Sequence, residues 1–298
     1  MLDAIEKEFL MLTQLYCTID DFCKLLEQEL GKKRLLGSEQ SKNHSKITLS
    51  EIATIAIYYH YSGYKNFKNY YEKEVKIHLK NEFPTAPSYS RIVELKQDIF
   101  WFLALFAKAV AATCTGISII DSTSLQVCHS RRIYRHKTFK GIAERGKTSV
   151  KWFFGFKLHM TINQFGEIIS FFITPGNVFD GNKDVLDKIT KDMFGKLLAD
   201  RGYLGRFKDL YERGITIVHG LRANMKNQLM SLFDKLLLRQ RGIIETVFGI
   251  LKENFNLEHS RHRSIKGFFI NIFTTLIAYA FRPKKPAINL SNFGFMIN

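Results

Sequence analysis

Apolar residues recur at roughly helical spacing from Leu2 to Leu30, which predicts a long first helix. Gly31 is placed to end it, with Lys32, Lys33 and Arg34 just beyond. The polar stretch Gly37–His44 predicts a loop. Thr48 and Glu51 stand at capping-box spacing before an apolar run, so a helix is expected to begin there and end near Ser62–Gly63. A second helix is expected over Tyr70–Leu79. Pro84 and Pro87 interrupt the pattern, and a third helix is expected from Tyr89 to Val110. Basic positions such as Lys65, Lys68, Arg91 and Lys96 suit a helix-turn-helix-like DNA module, and they suit an ordinary helical packing domain equally well.

Near residue 115 the period changes from helical to alternating. Gly116–Val127 is rich in β-branched residues and reads as a strand. Arg131–Lys151 is polar and basic without a clear period and reads as a long loop. Trp152–Ile162 partly alternates, Asn163–Gly166 is a turn signal, and Glu167–Thr174 reads as the returning strand of a hairpin. Further on come a loop at Pro175–Asn182, a helix at Asp184–Phe194, a short strand at Lys196–Asp200, a helix at Phe207–Arg213, a strand at Ile215–Val218, and helices at Asn224–Leu238 and Arg239–Phe255. The order β-β-β-α-β-α-β-α describes an α/β fold, a mixed sheet flanked by helices, with an N-terminal helical domain.

Composition narrows what such a fold is for. Lys plus Arg number 44 against 28 Asp plus Glu, a formal charge of +16, which favours a polyanionic partner, with nucleic acid the first candidate and an anionic membrane surface the second. The basic residues are spread through clusters such as Lys32–Arg34, Arg131–Lys140 and Arg261–Lys266, unlike a single amphipathic membrane anchor. The longest apolar runs, Ile99–Ala107 and Phe268–Phe281, are shorter than the roughly 20 residues that span a bilayer, so buried helices and no membrane partner are expected. Cys17, Cys23, Cys114 and Cys128 form no C-x-x-C pair, and Asp3, Glu6 and Glu8 break any early apolar stretch. Free thiols and a cytoplasmic, nucleoid-associated location are the expectation.

Three carboxylates stand out. Asp121 follows the apolar Ile117–Ile120, so it lies in or at the end of a buried strand, where an ionised group is costly unless paired or bound to a metal. A capping or turn role beside Ser122 and Thr123 is the plainer alternative. Asp200 repeats the situation after Leu197–Ala199, ahead of Arg201, Gly202 and Tyr203, and could equally pair with a base or cap the next helix. Glu245 lies in the segment Arg241–Lys252. At about 100° per residue, Arg241, Glu245 and Lys252 project within roughly 40° of one another, opposite Ile243, Ile244, Val247, Ile250 and Leu251. On that helix alone, a solvated i,i+4 ion pair explains the stripe as well. Together the acids suit Mg²⁺, or Mn²⁺ in its place, and two-metal phosphodiester chemistry. Arg241 and Lys252 suit contact with DNA phosphates, as do Arg131, Arg132, Arg135, Lys137 and Arg201. No P-loop, GxGxxG or zinc-ligand spacing occurs, and His129, His136 and His159 read as structural histidines able to reach substrate.

The segments Asp121–Leu125 (DSTSL), Thr174–Asp180 (TPGNVFD), Ala199–Gly205 (ADRGYLG) and Arg241–Lys252 (R-x3-E-x6-K) resemble the DDE transposases of bacterial insertion sequences, specifically insertion sequence family 982. Leu238 stands where related chains often carry Tyr, and Phe179 where they often carry His. The resemblance implies an RNase H-like core with Asp121 on the first strand, Asp200 after the fourth and Glu245 on a later helix. It implies catalysis and metal binding by those three acids, with Asp180 as an accessory. It also implies binding of terminal inverted repeats, metal-dependent strand cleavage, strand transfer into target DNA, and a homodimer or higher oligomer on DNA. The expected organisation is a DNA-binding helical domain at 1–112, the catalytic domain at 113–285 and a tail at 286–298. An RNase H-like nuclease without strand transfer and a non-catalytic DNA-binding protein are the alternatives.

Overall fold

The computed structural model describes residues 2–30, 46–148, 151–203, 207–220, 230–258 and 262–289. Gly31, Lys32–Arg34, the expected loop Gly37–His44, the start of the expected helix Asn224–Leu238 and Arg261 lie outside them. The chain forms two compact units. The first comprises Met1–Val110, Leu251–Leu257 and Arg263–Arg282; the second comprises Ala111–Ile250, Glu258–His262 and Pro283–Asn298. Residues 251–257 and 263–282, which sequence order groups with 113–285, thus pack with the N-terminal helices.

In the first unit, α1 (Leu2–Leu30) and α2 (Leu49–Tyr58) pack against each other. The Thr48 side chain accepts from the Glu51 amide while Glu51 accepts from the Thr48 amide, completing the expected capping box. A turn, α3 (Phe67–Asn69), passes into π-helical turns at Tyr70–His78. The expected third helix forms as two, α4 (Tyr89–Asp98) and α5 (Phe100–Ala109), broken at buried Ile99. Neither Gly nor Pro marks that break, so periodicity alone runs straight through it. The apolar run Phe268–Phe281 falls largely within α10 (Ile265–Ala280), which packs against α2 and α5 and buries nearly all of its residues from Phe268 to Tyr279. That burial is why α10 belongs to this unit.

A polar network ties α2 to α10. The buried His60 ring holds the Phe255 carbonyl with Nδ1 at 2.6 Å and the Thr274 hydroxyl with Nε2 at 2.8 Å. Thr275 donates to the Asn271 carbonyl at 2.7 Å, and Asn271 donates to the Asn256 and Leu257 carbonyls. No helix among the described residues is long and apolar enough to cross a membrane.

The second unit holds a six-stranded mixed sheet. Its strands are β1 (Ile117–Cys128), β2 (Glu144–Lys147), β3 (Trp152–Asn163), β4 (Ile168–Pro175), β5 (Gly195–Leu198) and β6 (Ile215–Val218). The order is β2-β3-β1-β5-β6, with β4 also pairing β3. β3 runs antiparallel to β1, β2 and β4, whereas β5 is parallel to β1 and to β6. With β2 set aside as an insertion, an antiparallel meander followed by two parallel strands on the other side of β1 is the RNase H-like arrangement.

Helices α6 (Lys183–Ile189), α7 (Phe207–Glu212) and α9 (Ile243–Gly249) pack on the sheet, and α8 (Leu232–Arg239) precedes α9. Ile120, Leu197, Ala199 and Ile215 from the sheet side meet Leu186, Ile189, Met193 and Leu210 in one core. Two expectations need correction. Arg131–Lys151 is not one loop: it contains a 3-10 turn at Ser130–Arg135 and the edge strand β2, whose four residues are too few to set up an alternating pattern. Arg239–Phe255 is not one helix: a turn at Gln240–Gly242 precedes α9, and the chain then widens into a π-turn at Ile250–Asn254.

Candidate active site

β1 lies at the point where strand order reverses, between antiparallel β3 and parallel β5, the place where open mixed sheets leave a crevice beyond their strand ends. The pairing of β1 with β5 ends at Ile119 opposite Leu198. Two residues further along each chain come Asp121 and Asp200. The apolar residues that drive these two strands into the core therefore deliver a carboxylate each at the place where the strands part. β1 continues past Asp121, held on its other side by β3, with Asp121 opposite Met160, Ser122 opposite His159 and Ser124 opposite Lys157.

The Asp121 carboxyl is mostly buried. Its Oδ1 accepts from the Ser122 amide at 2.8 Å, and its Oδ2 lies 3.7 Å from Arg241 Nη1. Burial pushes this acid up to about 6; the amide and the Arg241 charge pull it back, and the charges of Asp180 and Asp200 add to the rise. Asp200 itself is exposed. The turn Arg201–Tyr203 follows it, with the Tyr203 amide donating to the Asp200 carbonyl at 3.1 Å; the Arg201 side chain lies outside the described part of the structure.

Tyr203 is buried in the core beneath Asp200, and its hydroxyl has no hydrogen-bond partner among the described residues. Burial raises its pKa well above the ordinary value, and the charges of Asp180, Asp121 and Asp200 raise it further. This phenol therefore reports that all three acids lie within electrostatic reach of one point.

Asp180 sits in the turn after β4 and is the most heavily bonded of the acids. Its Oδ1 accepts from the Ser122 hydroxyl at 2.7 Å and from Lys157 Nζ at 3.1 Å, and Lys157 donates also to the Val178 carbonyl at 3.0 Å. Gly181 lets this turn approach the next one: a Cβ there would stand 2.8 Å from the Gly202 carbonyl oxygen. His159, wholly buried on β3, bonds the Thr174 hydroxyl through Nε2 at 2.9 Å, and its Nδ1 lies 3.9 Å from Asp180 Oδ1 without a hydrogen bond. Burial lowers its pKa to about 4, against the pull of Asp180. At neutral pH the ring is therefore uncharged, and Lys157 rather than His159 is the cation facing Asp180.

Glu245 points away from this buried set. It is 64% exposed and meets Arg241 Nη2 at 3.5 Å, so the guanidinium of Arg241 lies between Asp121 and Glu245. The i,i+4 ion pair anticipated for the helix is present, and the same arginine also faces Asp121. α9 buries Ile244, Val247 and Phe248 and leaves Glu245 on its outer side. Lys252 lies beyond α9, on the π-turn, where a constant 100° per residue no longer applies. Arg131, Arg132 and Arg135 lie on the 3-10 turn beyond the end of β1, and Lys137 follows them; all four are exposed.

The donors around Asp121 are hard carboxylate oxygens whose charges oppose one another, a set that suits Mg²⁺ or Mn²⁺. Among the described residues no three His, Cys, Asp or Glu side chains already stand close enough together to hold an ion. Sequence reasoning passed over Lys157, Ser122 and Tyr203. The signal for Lys157 was its place with His159 and Thr161 as polar residues two apart in an otherwise apolar strand, one face of β3.

The family described as Transposase DDE domain matches residues 111–265, which span β1 through the acid-bearing turn and helix to the start of α10. The chain belongs to that family. No curated protein matches it. Among solved structures, the chain is similar to the crystal structure of the Mos1 mariner paired end complex with Mn, at 11% identity over 92% of this chain and 95% of that one, with a TM-score of 0.18.

Proposed function

We propose that this protein is the transposase of a bacterial insertion sequence, of insertion sequence family 982. It binds the element's terminal inverted repeats, cuts a strand there, and joins the freed 3′-OH to target DNA. Asp121, Asp200 and Glu245 are its catalytic acids and would hold the Mg²⁺, with Asp180 as an accessory. Magnesium at these carboxylates supplies Lewis-acid activation of the attacking and leaving oxygens of a phosphodiester. The observation that carries the reading is the delivery of Asp121 and Asp200 to adjoining strand ends, where burial, and after it neighbouring negative charge, opposes the ionisation of Asp121.

The remaining residues take roles from their contacts. Arg241 faces both Asp121 and Glu245 before metal binds and, once released, is free to meet a DNA phosphate. Ser122 and Lys157 hold Asp180 in place. The 3-10 turn with Arg131, Arg132, Arg135 and Lys137, together with Arg201 and Lys252, grips the DNA backbone. The N-terminal helices bind the element's ends, and two or more copies act together on paired ends. The protein works in the cytoplasm, at the nucleoid.

The test is incubation with double-stranded DNA carrying the element's ends, a target duplex and Mg²⁺. The reading expects new 3′-OH ends and joined products from the native protein and neither from Asp121→Ala. Cleavage without joining would make it a nuclease. Full cleavage by Asp121→Ala would remove the assignment.

A further inference from the structure

The insertion between β1 and β3 carries a surface of different chemistry from the acid cluster. From Ser130 to Trp152 it has eight Lys and Arg residues and one acid, Glu144. The eight are Arg131, Arg132, Arg135, Lys137, Lys140, Arg145, Lys147 and Lys151, all exposed, and none forms an ion pair among the described residues. Set among these charges are two large rings in water: Tyr134 is 91% exposed and Trp152 is 62% exposed. Each has a cation over its face. Lys147 Nζ stands 5.6 Å from the Trp152 ring, its partner across the β2–β3 pair, and the Arg145 guanidinium stands 6.0 Å from the Tyr134 ring.

The insertion is firmly seated. Phe139 is fully buried, stacked on His136 and edge-on to Phe156. Between Arg145 and Lys147, Gly146 lies so close to the sheet that a Cβ there would stand 2.2 Å from the Gly176 carbonyl oxygen. β2 thus buries its middle residue and turns Arg145 and Lys147 to the same outward face. A basic, ring-bearing face has no reason in the fold itself, because exposed aromatics cost solvation that a packed position would recover.

We propose that this face binds a single-stranded or unpaired stretch of nucleic acid, with bases stacked on Trp152 and Tyr134 and phosphates held by Arg145, Lys147 and the arginines of the 3-10 turn. Strand binding without sequence readout combines basic grooves with aromatic platforms of this kind. The charge fits a polyanion, and the rings fit bases that a closed duplex keeps stacked away. At ~3.3 Å per residue, Trp152 lies about 25 Å along β3 from Met160, the partner of Asp121, so the face is distinct from the acid cluster. The inference rests on the nucleic-acid reading above and adds a strand-state preference to it.

The experiment uses the full chain without metal. The protein has two tryptophans, so Trp101→Phe leaves Trp152 as the fluorescent reporter. An oligonucleotide of about 12 nucleotides is titrated single-stranded and as the duplex of the same sequence. The expected result is quenching of Trp152 by the single strand. Read by the fluorescence anisotropy of an end-labelled oligonucleotide, since replacing Trp152 removes the reporter, Trp152→Ala and Tyr134→Ala are each expected to weaken single-strand binding by about 5- to 100-fold, with duplex binding unchanged. Trp152→Phe, which keeps a ring, is expected to retain most of the affinity. Equal loss for single strand and duplex, no loss for either variant, or quenching by phosphatidylglycerol vesicles in place of the oligonucleotide would overturn it. Running the Mg²⁺-dependent cleavage assay on the native protein beside the titration separates the two readings. Stacking by a native protein that does not cleave sinks only the transposase assignment, and cleavage by a native protein that shows no stacking sinks only this one.

Discussion

Two buried histidines show how differently the protein treats polar groups. His60, in the helical unit, has both ring nitrogens bonded, to a backbone carbonyl and to Thr274, and Thr275 and Asn271 continue the network to further carbonyls. His159, in the sheet, has Nε2 bonded to Thr174 and leaves Nδ1 without a hydrogen bond beside Asp180. The first network is closed, with each donor matched to an acceptor, as a network that holds helices together must be. The second is open. It brings together Asp121, Asp180 and Asp200 with an imidazole nitrogen and the Tyr203 hydroxyl that have no hydrogen-bond partner among the described residues. Unsatisfied buried groups and crowded acids cost stability, and proteins keep such arrangements where they act on something.

The comparison predicts opposite responses to substitution. The largest effect belongs to the open side: Asp200→Ala is expected to lower Mg²⁺-dependent cleavage by about 10³-fold or more while thermal stability stays within ~0.5 kcal/mol of the parent, since Asp200 is exposed. Equal loss of stability would place Asp200 on the structural side.

Next comes the closed side. His60→Ala is expected to cost about 2–4 kcal/mol in denaturant unfolding, because the Phe255 carbonyl and Thr274 hydroxyl lose their partner, while cleavage per folded molecule is unchanged. An active-site defect in folded His60→Ala would break the contrast.

Asp121 comes third, with a sign set by its acid being held near 6. The folded state binds this proton more tightly than the unfolded chain, so the metal-free protein loses stability as pH rises from about 4 through 6. The loss is complete above 6, on the order of 3 kcal/mol. His159, held near 4, works in the opposite sense: its neutral form is favoured by folding, so stability is lost as pH falls from about 6.5 through 4. The two slopes oppose each other in the native protein. Asp121→Asn removes one of them, and its stability is expected to rise steadily with pH between 4 and 6. A flat profile in that variant contradicts the opposition.

The smallest effect is that of Tyr203→Phe, which deletes a hydroxyl with no hydrogen-bond partner among the described residues. Unfolding free energy is expected to stay within about 0.5–1 kcal/mol of the parent, on the stabilising side. A loss above that would mean the hydroxyl has a partner in solution.

The sequence made some of this legible and hid the rest for identifiable reasons. The capping box at Thr48 and Glu51 depends on residues three apart, and the strands at β1, β3 and β4 depend on local alternation, so both could be read directly. Asp121 and Asp200 stood out because each follows an apolar stretch. Their delivery to adjoining strand ends depends on the β1–β5 register, which no local pattern encodes. The same holds for the convergence of Ser122, Lys157 and His159 on Asp180, which takes the β1–β3 register and the turn beside Gly181. β2 was missed because its inward residue is Gly146, so no apolar side chain marks the buried face. The break at Ile99 and the π-turn after Gly249 were missed because helical periodicity assumes a constant turn.

The central claim is that the acids around Asp121 form a site for a divalent cation whose binding offsets the cost of gathering them. Thermal unfolding of the full chain at pH 7.5, with and without Mg²⁺ or Mn²⁺, tests it without any DNA. The account predicts that metal raises the Tm of the native protein, while Asp121→Asn melts higher than the native protein without metal and gains nothing from adding it. An equal metal-induced rise in both proteins would contradict the claim.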